Sequence, residues 1–553
     1  MMQKRSGTES PATPVRMLSA GARYNGTYIL GAKGSGKSTL AAALAWQDYL
    51  RNIGQIIIDP IGVGLTDAFL WKLLRFLQQI PFSSHYRYLE HIKYVNIAAK
   101  DYIVPFPLIY KTGAERSLLE VAERYLHTIL ISSPWLLHAQ VQGWPPLHYV
   151  GSQTAIILAA LDYPLTFAQD LLRHPESWER AGRFHEAIRR YPEASPAVAF
   201  FREEYIPAGQ ANRRRLLNPY FDKIFTFTLD PNLRAMFGAT TPGIDWEEVE
   251  RKGQTVLLDF RQELDPELRR FKLLWVFSSL YEYIRVRGRR QHPLGLIIDE
   301  FASLCHKLPG GENPMAALLD DFINQYMRNH HIWLTVAHQS LYQLDEQLRY
   351  TLLSLGTYVF GRAATMSEAR LLADVLYKTD PYLVKHWRKV WMGGGSLHGR
   401  PLDPYVVDYE PEFMPLVEQQ ERFAQAITKQ GLFEFLLRPS LWEGEVSQEV
   451  IPISIAHTIR DPDTGEQQFP DQEAVARLRC LLATAAGIPI TRLLAAQDAR
   501  LAQGQQPQKG ALPQGRQART RHNGNEPIPE EPTPAHAAAD PSLTPRQRRE
   551  PIA

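Results

Sequence analysis

Cysteine is nearly missing from this chain of 553 residues: Cys305 and Cys480 are the whole complement. Two thiols cannot build a disulfide scaffold or a four-ligand zinc site, so a cross-linked secreted fold is excluded and a cytoplasmic location is expected. Long apolar runs are missing as well. Ala155 to Leu161 is the best candidate, far short of the ~20 residues a membrane helix needs. The N-terminus, Met1 to Ser10, lacks the apolar stretch of a signal peptide. No direct membrane insertion is expected, and a membrane role would need a partner protein. Charge of one sign is also lacking: 61 Lys and Arg face 59 Asp and Glu, for a net charge of +2. That balance neither demands nor excludes nucleic acid, because a basic channel can hide in a neutral total. The 17 histidines form no pair at metal-ligand spacing beside a third ligand, so no metal other than Mg²⁺ is expected. The chain contains no internal repeat.

What is present is an ordinary globular balance, 44% apolar and 22% charged, with length for roughly two to four domains. Residues 1–22 read as a flexible arm rich in Ser, Pro, Gly and Arg. Thr27 to Leu30 is a short strand that enters a glycine-rich turn and then a helix, Ser38 to about Asn52. Gln55 to Asp59 is a continuous apolar run, the mark of a strand covered on both faces of a parallel sheet. His91 to Ile97 is a further candidate strand. Residues 114–232 change character: apolar positions recur at helical spacing, as in Arg116 to Ile131, with no buried-strand run. This segment reads as an all-helical insertion that divides the core into 23–113 and 233–400. Strands return at Thr255–Phe260, Leu294–Asp299, Ile332–Val336 and Thr357–Phe360. Helices alternate with them, over about Pro266–Arg287, Met315–Asn329, Leu344–Leu355 and Met366–Tyr377. The alternation predicts an α/β fold with a mostly parallel sheet. Residues 401–501 read as an α/β extension, with Leu432–Leu437 and Val450–Ile455 as a candidate antiparallel pair and two helices broken near Gly487. Residues 502–553, rich in Gln, Pro, Gly and Arg, read as a disordered tail.

Gly31-Ala32-Lys33-Gly34-Ser35-Gly36-Lys37-Ser38, followed by Thr39, fits G-x-x-x-x-G-K-[ST] at every fixed position. Glycines let backbone N–H groups turn toward phosphates, and the following helix points its positive end at them. Lys37 reaches the β- and γ-phosphates and the Ser38 hydroxyl coordinates Mg²⁺. The expected ligands are therefore ATP and Mg²⁺, with Gly31 to Thr39 as the binding segment. An ATPase also needs acids at the end of a buried strand. Asp299 would hold Mg²⁺ through its water shell, and Glu300 would orient or deprotonate the attacking water. Asp59, which ends another buried strand, is the rival acid. It is followed by Pro60-Ile61-Gly62 rather than a second carboxylate, so a place on the nucleotide rim suits it better.

Further blocks carry a family resemblance. Asp299 to Leu304, Tyr326 to Arg328, Ile332 to Ser340 with Gln343-Leu344, and Leu355 to Arg362 followed by Ser367 to Arg370 resemble the conjugative coupling ATPases of type IV secretion. Asp230 to Arg234 and Gly253 to Phe260 are similar to the stretch those proteins carry before their acidic motif. Coupling ATPases belong to the FtsK–HerA superfamily of DNA-pumping motors, and the likeness covers about residues 24–400. The resemblance implies an all-helical domain inserted in a RecA-like P-loop NTPase core, and a hexameric ring with ATP between subunits and DNA in the pore. It implies a γ-phosphate sensor at Gln339 and an arginine finger at Arg328 serving the neighbour's nucleotide, with Arg362 as second candidate. It also implies a membrane-bound secretion or conjugation partner. The chain departs from the family in showing no N-terminal membrane helices, and it has no room before Tyr24 for a HerA-type barrel. An end-processing motor of HerA type with a nuclease partner, or a secretion ATPase acting on protein, are the alternatives. Three weaker signals remain. Arg213-Arg214-Arg215 could contact phosphate or form a solvated face. The Gly393-Gly394-Gly395 loop lies near Trp387 and Trp391, which suits single-strand contact or simple partial burial. The tail arginines Arg516, Arg519, Arg521, Arg546, Arg548 and Arg549 could tether nucleic acid.

Overall fold

Residues 18–61, 64–111, 115, 117–132, 144–209, 212–213, 229–305, 319–393, 396–397, 400–401, 404–440, 450–455, 459–460, 467–468 and 470–505 are described by a computed structural model of the chain. The rest, including Arg214, Arg215, Gly394, Gly395 and the tail arginines, lie outside the described residues.

The strands, in chain order, are β1 (Thr27–Leu30), β2 (Gln55–Asp59), β3 (Ile92–Asn96), β4 (Tyr102–Ile103), β5 (Thr255–Asp259), β6 (Leu294–Ile298), β7 (Ile332–His338) and β8 (Thr357–Phe360). They continue with β9 (Val384–Met392), β10 (Ser396–Leu397), β11 (Arg400–Pro401), β12 (Tyr405–Phe413), β13 (Glu434–Arg438), β14 (Ile451–Ser454), β15 (Ile459–Arg460), β16 (Gln467–Gln468) and β17 (Ile488–Pro489). Nine form one sheet in the order β14-β13-β8-β1-β7-β6-β2-β5-β3. From β8 to β3 every pairing is parallel, while β13 runs antiparallel to both β8 and β14. Every residue of β1, β2, β5, β6, β7 and β8 is buried. That is why these segments read as unbroken apolar runs: helices cover both faces.

The period of two along each strand divides the core. Ile29, Ile57, Leu257, Ile297 and Val359 face one layer, with Leu40, Leu44 and Phe69 from the helices Lys37–Leu50 and Leu65–Gln78. Tyr28, Ile56, Ile58, Leu296, Val336 and Phe360 face the other, packed on Phe271 and Trp275 of the helix Pro266–Arg287. That long helix starts where its sequence says it should: Asp265 accepts the N–H groups of Glu267 and Leu268, and Pro266 occupies the first turn. A buried ion pair fastens the chain's entry to this core. Arg23 makes a two-point contact with Asp48, at 3.2 and 2.7 Å, and both side chains are inaccessible to solvent.

Between β4 and β5 the described residues hold helices and no strand, including Leu118–Ser132 and Trp144–Ala160. Arg213 does not offer a free cation there. Its guanidinium pairs with Glu176 and donates to the carbonyls of Tyr205 and Ile206. Among the described residues no single helix is long and apolar enough to cross a membrane.

The segments beyond β8 are tied back to the core. The expected antiparallel pair is present as β13 and β14, and it extends the main sheet beside β8. The helix Gln472–Ala486 packs on β3, and its Arg479 reaches Asp67 at 3.0 Å. β17 pairs with β4. Sequence patterning gives no strand over 384–392 or 405–413, yet β9 and β12 form a long two-stranded antiparallel ribbon between the helices Met366–Leu376 and Leu416–Thr428.

Candidate nucleotide-hydrolysis site

The sheet order sets the site. β1, which delivers the glycine-rich loop, lies between β8 and β7, and β6, which delivers the acids, is the next strand beyond β7. Because the strands are parallel, the segments leaving β1, β6 and β7 emerge along one edge. There they bring Lys37, Asp299, Glu300 and Gln339 together from distant parts of the chain.

Gly36 caps the helix Lys37–Leu50 at φ 97° and supplies no side-chain acceptor. The N–H groups of the first turn are therefore left for an outside anion, which is what a phosphate requires. Gly34 also has positive φ, 79°, and nothing stands within 4 Å of where its Cβ would be. The loop is held from behind by the carbonyl of Arg362, which accepts the Ala32 N–H at 2.7 Å. Lys33 and Gly34 face solvent, whereas Ser35 and Lys37 are buried. Burial pulls the Lys37 ammonium below its ordinary pKa, and the carboxylates of Glu300 and Asp299 pull it back up. The ammonium donates to the Ala32 carbonyl at 3.4 Å.

Ser38 Oγ donates to Asp299 Oδ2 at 2.6 Å. Burial raises the Asp299 pKa, opposed by that hydrogen bond and by the positive charge of Lys37. A hydroxyl and a carboxylate in contact are hard oxygen donors of the kind Mg²⁺ takes. With the free N–H groups and the ammonium beside them, these residues fit a magnesium–nucleotide complex. Glu300 stands in the left-handed region at φ 44°, a conformation that costs a non-glycine residue about 1 kcal/mol or more. The turn lets Asp299 Oδ1 accept the Glu300 N–H at 3.0 Å while the Glu300 side chain leaves in another direction. It meets Gln339, whose Nε2 donates to Glu300 Oε1 at 2.7 Å.

Asp59 is engaged elsewhere. Its Oδ2 accepts the N–H and the hydroxyl of Thr66 at 2.9 and 3.1 Å, capping the start of the helix Leu65–Gln78. The same turn touches the site through Gly64, where an added Cβ would lie 2.7 Å from Ser38 Cβ. The two candidate arginines lie on opposite edges. The Arg362 backbone abuts its own chain's phosphate loop. Arg328 is exposed and precedes β7, at the far end of that strand from Gln339; its carbonyl accepts the Tyr24 hydroxyl. Seven strand residues put it ~23 Å from its own site.

One contact has no sequence signal. Phe433, in the turn before β13, donates its N–H to the Ser35 carbonyl at 3.0 Å. Its ring covers Gly36 so closely that a Cβ there would lie 2.4 Å from Cδ1. A residue from the last part of the core sheet thus clamps the phosphate loop.

The strand order and the cluster at its edge define a P-loop NTPase core of RecA-like kind. No protein-family model matches the chain, and no curated protein matches it. Among solved structures the chain is similar to the plasmid coupling protein TrwB in complex with the non-hydrolysable GTP analogue GDPNP, at 15% identity and a TM-score of 0.44, covering 85% of this chain and 92% of that one. TrwB in complex with ADP and Mg²⁺ is similar at 15% identity and a TM-score of 0.43, over 82% of this chain and 88% of that one. VirB4 of Thermoanaerobacter pseudethanolicus is similar at 13% identity and a TM-score of 0.40, over 78% and 89%. The structural neighbours thus include a conjugative coupling protein.

Proposed function

We propose that this chain is an ATP-hydrolysing motor that works as a ring, a hexamer, and moves DNA. The observation that carries the hydrolytic half is the cluster of two side-chain pairs, Ser38 with Asp299 at 2.6 Å and Gln339 with Glu300 at 2.7 Å. Hydrolysis needs a cation-holding pair and a water-activating carboxylate side by side. In this reading Lys37 and the first-turn N–H groups hold the β- and γ-phosphates. Ser38 and Asp299 hold Mg²⁺, which supplies charge neutralisation when bound. Glu300 accepts the proton of the attacking water, and Gln339 fixes the orientation of that carboxylate and exchanges it for the γ-phosphate. Residues 23–113 and 233–400 form the motor core, with 114–232 as its helical insertion and 401–501 as an extension.

Support for the ring comes from Arg328. It sits at the edge of the sheet remote from its own site, so an arginine there has a nucleotide to serve only across a subunit boundary. DNA as the moved polymer rests on the sequence blocks between Asp299 and Arg370. ATP turnover measured with and without single- and double-stranded DNA tests the reading. Stimulation by DNA is expected. Turnover indifferent to DNA, but stimulated by an unfolded protein, would move the chain to the protein-secreting ATPases. Copurification of a nuclease would favour an end-processing motor.

A further inference from the structure

The β9–β12 ribbon takes no part in the hydrolytic cluster. Its two strands pair with each other and with no strand of the main sheet, and nearly all of its residues are exposed. The register gives it two unlike faces. On one, Arg388 stands opposite Glu410 and His386 opposite Glu412, closing as pairs at 2.9 and 3.0 Å. Trp387, Lys389 and Trp391 alternate with these residues and so occupy the other face. Tyr409 stands opposite Lys389 there, and Pro411 opposite Trp387. Trp387 is 59% exposed, Trp391 56% and Tyr409 53%, whereas every other tryptophan with a described side chain is buried or half-buried. Partial burial therefore does not account for these two indoles.

We propose that this face binds single-stranded nucleic acid without sequence preference. Same-face positions on a strand recur every ~7 Å. Trp387, the Lys389–Tyr409 rank and Trp391 thus make a row of π-surfaces with a cation at its middle. Bases of any kind stack on such a row, and the backbone phosphates meet the ammonium. Charge complementarity selects this occupant over a protein. The partners of the aromatic face are Val406, Tyr409 and Pro411, so among the described residues of the ribbon it presents no carboxylate to Lys389. A protein docked there would bury that ammonium at the centre of the contact, where interfaces are depleted of lysine. A polyanion supplies the missing charge. The carboxylates of Glu410 and Glu412 are turned to the opposite face, where Glu410 pairs with Arg388 and Glu412 meets His386, so they point away from it. The proposal deepens the DNA reading but needs no hydrolysis, so its test omits nucleotide.

The test is fluorescence anisotropy of a labelled oligothymidylate with the full chain, alongside a duplex of equal length. Wild type should bind the single strand with quenching of tryptophan emission. Trp387→Ala with Trp391→Ala should weaken binding at least ~10-fold, since each stacked base contributes ~1–3 kcal/mol. Trp387→Phe with Trp391→Phe should retain most of it. Lys389→Glu should also weaken it and flatten the salt dependence by about one phosphate contact. Absence of binding by wild type overturns the proposal. So does unchanged affinity in both the double alanine and the Lys389→Glu proteins at wild-type melting temperature. If the double alanine variant instead shifts the sedimentation of the chain while its single-strand affinity stays intact, the ribbon is a contact between copies and the nucleic-acid assignment fails. ATP turnover without DNA, read separately, reports on the hydrolytic site whichever way this falls.

Discussion

Gln339 donates its side-chain amide to Glu300 at 2.7 Å, and so the residue that ends one strand controls the direction of the acid that ends its neighbour. The pair turns a flexible carboxylate into an oriented one. Glu300→Gln should keep ATP binding and lose turnover by ~10²-fold or more, because an amide cannot take the water's proton. Gln339→Ala should leave Glu300 in place but free to rotate, for a smaller loss of ~10-fold. Single-turnover assays alongside nucleotide-binding titrations separate the two effects. Loss of ATP binding in Glu300→Gln would make that residue structural.

Lys37→Ala removes the one buried ammonium in the phosphate loop. Preorganised charge at a site of this kind contributes ~10²–10³ per donor, and hydrolysis should fall by at least that factor. Turnover near wild type would refute the site assignment. The folded state should tolerate the change, because among the described residues the hydrogen bond of the Lys37 ammonium is to the Ala32 carbonyl, at 3.4 Å.

Phe433 offers a test of how the last strands of the sheet serve the nucleotide. Phe433→Ala removes the ring from Gly36 and should raise the KM for ATP several-fold by loosening the phosphate loop. Phe433→Gly removes the same ring but relieves a backbone held at φ 62°. The glycine protein should therefore be more stable than the alanine protein by up to ~1 kcal/mol, with the same defect in KM. Equal KM in all three proteins would show that the ring only fills space.

The phosphate loop, the Asp299-Glu300 pair and the parallel strands were legible because each is written in a few consecutive residues whose types the local chemistry dictates. An unbroken run such as Gln55 to Asp59 announces double-sided burial on its own. The clamp by Phe433 was not legible, since nothing near Phe433 in sequence hints that Ser35 and Gly36 lie beneath it. The β9–β12 ribbon was missed for a different reason. Exposed on both faces, it has no apolar side to give a period of two, and Trp387, Lys389 and Trp391 alternate with His386, Arg388 and Val390 without revealing which side is wet. Arg213 is a further case: the run of arginines left phosphate contact and a solvated face both open, and the pairing of its first member with Glu176 is invisible in the run.

The buried pair of Arg23 and Asp48 should be a large single contributor to stability when broken from one side. Arg23→Met leaves the Asp48 carboxylate buried without its partner, and breaking a buried pair in that way costs about 3–5 kcal/mol. Combining it with Asp48→Met removes the stranded charge and should recover most of the loss. Denaturant titrations of the two single variants and the double variant measure this directly. A double variant no better than Arg23→Met would show that packing, including Arg23 against the Trp333 ring at 5.4 Å, outweighs the charge term.

Arg328 carries the prediction that bears most on the ring. If it serves the neighbouring subunit's nucleotide, Arg328→Ala should bind ATP normally and hydrolyse it poorly, with a loss of ~10³–10⁵ typical of an arginine finger. Mixing those subunits with Glu300→Gln subunits should then restore part of the turnover. At a boundary where an Arg328→Ala subunit holds ATP and a Glu300→Gln subunit lends its arginine, the site has an intact Glu300 and an intact Arg328. Neither pure ring contains such a site. An Arg328 that is merely solvated predicts wild-type turnover for Arg328→Ala alone, which the exposed position of the side chain makes a fair contest. A defect that mixing never rescues, in rings shown by light scattering to be mixed, removes Arg328 from the trans role. Arg362 is then the variant to mix in the same way, but from a different starting point. Its carbonyl holds Ala32 of its own chain, a backbone contact that Arg362→Ala keeps, so a loss of turnover in that variant reports on the guanidinium, and rescue by mixing would make Arg362 the trans arginine.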